Sequence, residues 1–240
     1  MKGRLDRILS ACGLLTRSEA QSALRAGRVT VDGRPARDGS LKLDSETAVI
    51  LLDGARVEGD GFVYLMLYKP TGVLSATEDR RGEQTALDLL PEAYRRRSIG
   101  VAGRLDKDAE GLLFLTDNGQ LNHRLTSPRH HMEKRYLVSL DRPAEAADEA
   151  AFAAPMDLGD FVTQPAKLAR MGDGSRCLVT LREGKFHQIK RMFAHQGKTV
   201  TALKRLSVGP LLLDERLPAG GWRRLEEAER QALFSAAEMV

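Results

Sequence analysis

The chain has 240 residues, 42% of them hydrophobic, with a formal net charge of +4 and two cysteines. This composition is close to that of an ordinary soluble globular protein, so disorder is not the default, and Cys12 and Cys177 are too few for a disulfide scaffold and form no Cys-x-x-Cys pair. No apolar run reaches the roughly 18 to 20 residues that span a bilayer, and MKGRLDRILSACG lacks the uninterrupted apolar core of a secretory signal, so a cytoplasmic protein with reduced thiols is expected.

The predicted elements begin with a small unit from about Gly3 to Leu52. Leu5, Ile8, Leu9 and Cys12 recur at helical spacing, with Gly13 as the stop. Thr16-Arg17-Ser18-Glu19 has the pattern of a capping box opening a second helix. Ala20, Ala23 and Leu24 form its apolar face, and Gly27 ends it. Val29 and Val31 alternate with polar neighbours up to an Asp32-Gly33 turn, and Leu41 and Leu43 lead on to a strand, AVILL. DGARVEGDG, residues 53 to 61, is Gly-rich and polar and is predicted to be a linker, so that the domains divide as 1–58 and 59–240.

From Phe62 onward YLMLY, LLFL, YLVSL, KLARM and CLVTL are predicted strands, with a tight turn at Asp117-Asn118-Gly119 and a hairpin at MGDGS. Helices are predicted over 144–153, 186–195 and 225–237. Strands outnumber helices and do not alternate with them. The fold class is therefore α+β: a small helix-plus-hairpin domain joined to a larger one with a mixed or antiparallel sheet and peripheral helices.

Positive charge is segregated. Residues 1–42 hold nine Lys/Arg against four Asp/Glu, and residues 181–205 hold seven against Glu183 alone. Such stretches favour a polyanionic partner, because each neutralised phosphate releases counterions. RLDRILSACGLLTRSEAQSALRAGRVTVDGRPA, with basic residues on successive helices followed by a Val-x-Val-Asp-Gly hairpin, resembles the RNA-binding domain named after small-subunit ribosomal protein S4. The resemblance covers nearly all of residues 3–43. It implies that Arg4, Arg7, Arg17, Arg25 and Arg28 face RNA phosphates.

Five further blocks follow in order: KPTGVLSATED, GRLDKDAEGLLFLTDNG, SPRHHMEKRYLV, EGKFHQIKRMF and LKRLSVGPL. Together they resemble the pseudouridine synthases, in the branch that carries an S4-type domain and acts on ribosomal RNA, and the similarity spans essentially the whole chain. SPRHHMEKRYLV is most similar to the members acting on one uridine of 16S rRNA rather than on 23S rRNA. The resemblance implies that Asp106 is the catalytic aspartate, Tyr136 the active-site tyrosine and Lys190 the basic partner of the aspartate, with Arg191 as the fallback. It also implies that Leu203 packs on the target base beside Arg205, and that Arg104 and Lys69 hold phosphate or position the loop.

The residues agree in character. An aspartate flanked by Arg104 and Lys107 is held ionised by neighbouring positive charge, and a sheltered carboxylate acts as nucleophile or base. A buried Asp106–Lys190 pair is expected, at a desolvation cost that suits function better than stability. The charges at 104–110 are expected to form the mouth of a pocket, anchored in the sheet by LLFL.

Pseudouridine formation breaks the bond from ribose to a base nitrogen and rejoins the base through carbon. It needs a uridine lifted from its stack, but no cofactor. In the family the aspartate adds to the base, attacks the sugar carbon, or removes a ribose proton. No metal site is expected, since His130 and His131 point to opposite faces of an extended segment and His123, His187 and His195 are scattered.

Ribosomal RNA, free or in a small-subunit assembly intermediate, is the expected partner, with no membrane and a monomeric chain. A non-catalytic RNA-binding assembly factor would share the charge and the first domain. Asp106, Tyr136 and Lys190 together favour the enzyme.

Overall fold

The computed structural model describes residues 2–11, 15–45, 47–57, 62–95, 97–127 and 132–239. The class is α+β, as the strand and helix count predicted.

In the first unit, helices Leu5–Ala11 and Arg17–Arg25 pack on a four-stranded sheet whose strands lie in the order Arg34–Pro35, Val29–Val31, Ile50–Leu52, Ala55–Arg56. The second helix opens with the expected capping box: the Glu19 N–H donates to Thr16 Oγ1, and the Thr16 N–H donates to Glu19 Oε2. Its buried residues are Ala20, Ala23 and Leu24. Cys12 and Gly13, predicted to close the first helix, lie outside the described residues. Lys42–Asp44 pairs with Lys2–Arg4 in a separate two-stranded ribbon. The linker prediction is corrected in its first half. Asp53 and Gly54, both at positive φ, turn the hairpin between Ile50–Leu52 and Ala55–Arg56, so residues 53–56 complete the small sheet. Residues 58–61 lie outside the described chain.

The larger unit is built on a nine-stranded sheet. Its main path runs Lys167–Met171, Arg176–Leu181, Lys134–Leu140, Val200–Val208, Glu110–Thr116, Tyr64–Lys69, Trp222–Arg224, with two short strands beside it. Every pairing on that path is antiparallel except Val200–Val208 with Glu110–Thr116, which is parallel. Glu110–Thr116 is buried on both faces after its first residue, which is why it reads as an unbroken apolar run. Lys134–Leu140 is more deeply buried at alternate positions, and these face Ile189, Met192 and Phe193 of helix Gln188–His195.

All five predicted strands are present, and helices Ala146–Phe152, Gln188–His195 and Glu227–Ala236 fall within the predicted spans. Two elements depart from expectation. The tight turn expected at Asp117-Asn118-Gly119 is the entry to a helix. Asn118 caps helix Gly119–Thr126, its side-chain oxygen accepting from the Leu121 N–H at 3.0 Å. The central strand Val200–Val208 has no clean hydrophobic alternation, because a fully buried arginine, Arg205, occupies a core position in it.

Candidate active site and RNA-binding face

The loop between strands Gly100–Ala102 and Glu110–Thr116 carries Asp106 to the place where the sheet changes from antiparallel to parallel pairing. It is fixed from below by two buried cations. The Lys69 ammonium donates to the carbonyls of Pro70, Lys107 and Ala109, and the Arg205 guanidinium to those of Gly103, Arg104 and Leu112. Both side chains are fully buried.

Of the two roles expected for Lys69, holding phosphate is corrected and positioning the loop matches these bonds, while the substrate contact expected of Arg205 is corrected, since both side chains lie away from any surface that RNA can touch. Their hydrogen bonds fix the backbone on which Asp106 sits. Burial pushes Lys69 down to about 8, and the field of Arg205 adds to the effect. Ser75, in the KPTGVLSATED block, clamps the loop from a third side. Its hydroxyl donates to Leu105 O at 2.7 Å and accepts from the Leu105 N–H at 3.0 Å.

Asp106 opens on a small cleft of about 70 Å³. Its walls include Arg104, Tyr136, Lys185, His187 and Leu203. The Lys190 ammonium lies 3.3 Å from Asp106 Oδ2 and 2.5 Å from Asp108 Oδ1, and its bond to Asp108 holds that carboxyl below the usual carboxylate range. The Asp106 and Lys190 side chains are 24% and 22% exposed, so the expected buried pair is a half-sheltered one whose desolvation cost is smaller. Tyr136 and Leu203 are nearly buried and form the apolar side of the cleft.

The charges preceding LLFL divide their tasks. Arg104 and Asp106 face the cleft, Lys107 pairs with Glu83, and Glu110 accepts from the Tyr68 hydroxyl at 3.1 Å. Arg191, the fallback partner, is placed away from Asp106. It donates to Leu158 O and pairs with Asp160, because the residue after Lys190 is rotated to another side of the helix.

Two contributors were not recognised in the sequence. His187, read there as one of several scattered histidines, lines the cleft with Nε2 3.7 Å from Asp106 Oδ1. Gln188 is buried and ties its loop together, its amide donating to Glu183 Oε1 at 2.6 Å and its oxygen accepting from the Lys185 N–H. Their place at the start of helix Gln188–His195, two and three residues before Lys190, was the available signal. His130 and His131 lie outside the described residues. Among the described residues no group of three His, Cys, Asp or Glu side chains is placed to hold a metal ion, and no helix is long and apolar enough to cross a membrane.

In the first unit Arg4, Arg25 and Arg37 surround one concavity, and Lys2, Arg4, Arg7 and Lys42 an adjoining one. Asp6 sits within this basic face. Its carboxyl accepts a bidentate pair of bonds from Arg4, which lowers its pKa. Arg17 is exposed at the first turn of its helix. Arg28 is half-exposed and, like Arg4, is paired with a neighbouring carboxylate, here Asp53 at the hairpin turn. Arg37, Lys2 and Lys42 also border the basic face. They come from separate segments, so helical spacing did not single them out.

Comparison with known proteins matches residues 63–195 to the RNA pseudouridylate synthase family and residues 3–49 to the S4 domain. The ribosomal small subunit pseudouridine synthase A of Vibrio cholerae is 42% identical over 233 residues, covering 96% of this chain and 99% of that protein. An uncharacterized RNA pseudouridine synthase of Bacillus subtilis is 42% identical over 96% of this chain and 98% of its own length. A crystal structure of a pseudouridylate synthase superposes with a TM-score of 0.68 at 37% identity, covering 96% of this chain and 99% of that one. With its Asp106 loop, sheet and first domain all accounted for, this chain belongs to the RNA pseudouridylate synthase family, in the branch that carries an N-terminal S4 domain.

Proposed function

We propose that this enzyme converts one uridine of small-subunit (16S) ribosomal RNA to pseudouridine, with Asp106 as the essential carboxylate. The observation that carries the reading is the Asp106–Lys190 pair at 3.3 Å in a cleft walled by Tyr136 and Leu203. That cleft presents one carboxylate, one ammonium, a phenol and an apolar wall. It suits a flat, uncharged pyrimidine turned out of its helix, which must be everted before its glycosidic bond can be reached. The names of the small-subunit relatives support the 16S target over 23S.

Each residue takes a definite part. Leu203 and the Tyr136 ring sandwich or flank the uracil. Lys190 orients Asp106 through their ion pair. Asp106 acts on the nucleotide as nucleophile or base while the bond from C1′ to N1 breaks and the bond from C1′ to C5 forms. The proton displaced from C5 leaves through a base, a role assigned in this reading to the Tyr136 oxygen, and N1 gains a proton. Atoms balance within the nucleotide, so the reaction calls for neither a cofactor nor an energy source.

Residues 1–58 act as the RNA-holding domain and 59–240 as the catalytic one. The enzyme works as a monomer in the cytoplasm, on ribosomal RNA either free or within an assembling small subunit. The test is to incubate 16S and 23S rRNA with the pure protein alone and map pseudouridine in each. One new pseudouridine in 16S rRNA is expected. Modification confined to 23S rRNA would move the target, and none in either would leave an RNA-binding assembly factor as the better account.

A further inference from the structure

Phe186 is 72% exposed, more than any other large hydrophobic side chain among the described residues. One face of its ring is covered: it stacks on the His187 imidazole with centroids 3.8 Å apart and planes 17° from parallel. The other face is open. His187 stands in the left-handed region at φ 52 and ψ 29, a conformation that histidine tolerates better than branched residues do. It is held there by the Gln188 bonds to Glu183 and Lys185. From that position its Nε2 reaches to 3.7 Å from Asp106 Oδ1. The lip of the cleft thus carries a two-ring stack, with the carboxylate at its inner side and a bare aromatic face at its outer side. Lys185 and Arg104, both exposed cations, line the same cleft.

An exposed phenylalanine loses the benefit of burial unless something covers it. Everting a nucleotide creates the complementary need, because the bases on either side lose a stacking partner. We propose that the open face of Phe186 is the platform on which a nucleobase flanking the everted uridine stacks, with His187 as its backing. This rests on the reading of the cleft as a uridine site. Stacking of a base on an aromatic ring tolerates any base, so the platform fixes the geometry of the flanking nucleotide and leaves its identity free. It adds to binding and positioning, and the ring touches none of the reacting atoms.

The test compares wild type with Phe186→Ala, Phe186→Leu and Phe186→Tyr on transcribed 16S rRNA, in single-turnover reactions at increasing enzyme concentration. Phe186→Ala and Phe186→Leu are expected to raise the half-saturating concentration about tenfold with the limiting rate within about twofold, and Phe186→Tyr to match wild type. With 2-aminopurine at each neighbour of the mapped uridine in turn, wild type and Phe186→Tyr should quench one neighbour that the other two variants do not.

Wild-type behaviour in Phe186→Ala, or in Phe186→Leu, overturns the platform while leaving the cleft's assignment standing. The first would mean that the ring is idle, the second that any apolar cover suffices. A wild-type protein that forms no pseudouridine in any RNA overturns both.

Discussion

Lys190 Nζ stands between two carboxylates, 3.3 Å from Asp106 Oδ2 and 2.5 Å from Asp108 Oδ1, so a single ammonium on one helix ties the candidate catalytic loop at two points. The two contacts differ in environment. The Asp108 side chain is 73% exposed and its pair is screened by water, whereas Asp106 lies within the cleft.

Asp106→Asn keeps shape and hydrogen-bonding capacity but removes the charge. Pseudouridine formation is expected to vanish, with RNA affinity within about a few-fold of wild type, since the phosphate contacts lie elsewhere. Parallel measurement of product and of RNA binding checks this, and activity retained by the asparagine variant would remove Asp106 from its role.

Lys190→Met is expected to lower the limiting single-turnover rate by roughly a hundredfold, because a preorganised charge beside the reacting group is lost. Asp108→Asn should change that rate by less than about threefold, as befits an exposed pair. Equal losses in the two variants would show that Lys190 acts by anchoring the loop rather than through Asp106.

Gly111 lies opposite Arg205 in the parallel register of the sheet, at φ 114, and a Cβ there would clash with the Arg205 carbonyl oxygen. Gly111→Ala must push apart two strands that carry the Asp106 loop and Arg205. Destabilisation of roughly 3 kcal/mol is expected, from left-handed strain plus a backbone clash. Chemical denaturation of the variant against wild type measures it, and a change below about 1 kcal/mol would mean that the strands yield cheaply.

Lys69 supplies a pH signature. Burial lowers it to about 8 from an ordinary 10.5, against the opposing fields of Asp108, Asp106 and Glu110. Between those two values the unfolded chain holds a proton that the folded chain has released, so stability from this position rises as pH increases through that window and is level below it. The difference in unfolding free energy between wild type and Lys69→Met should therefore shift toward wild type from pH 8 to 10.5. A flat difference across denaturant melts in that range would contradict a depressed Lys69.

On the first domain, Arg7, Arg17 and Arg25 are exposed on the helical side of the basic face. Replacing all three by glutamine should weaken RNA binding and reduce the slope of log affinity against log salt by about 2, if each meets one phosphate. Unchanged slopes would place the RNA on another surface.

Local pattern alone carried a large part of this molecule. The capping box at Thr16, the double-sided apolar run of Glu110–Thr116 and the alternation of Lys134–Leu140 each follow from interactions among near neighbours or from the number of faces a strand buries. The order of the motif blocks brought Asp106, Tyr136 and Lys190 forward as a set before any distance was known.

Only the tertiary structure decided where the cations go. Lys69, Lys190, Arg191 and Arg205 are all basic residues in or beside apolar segments. Their fates diverge because a cation's role is set by the carbonyls and carboxylates that the fold brings to it from distant segments. Lys69 and Arg205 disappear under the Asp106 loop, Arg191 turns to Asp160, and Lys190 alone of the four reaches the carboxylate. Charge can be read residue by residue, but the partner that gives a charge its work is chosen when the chain folds.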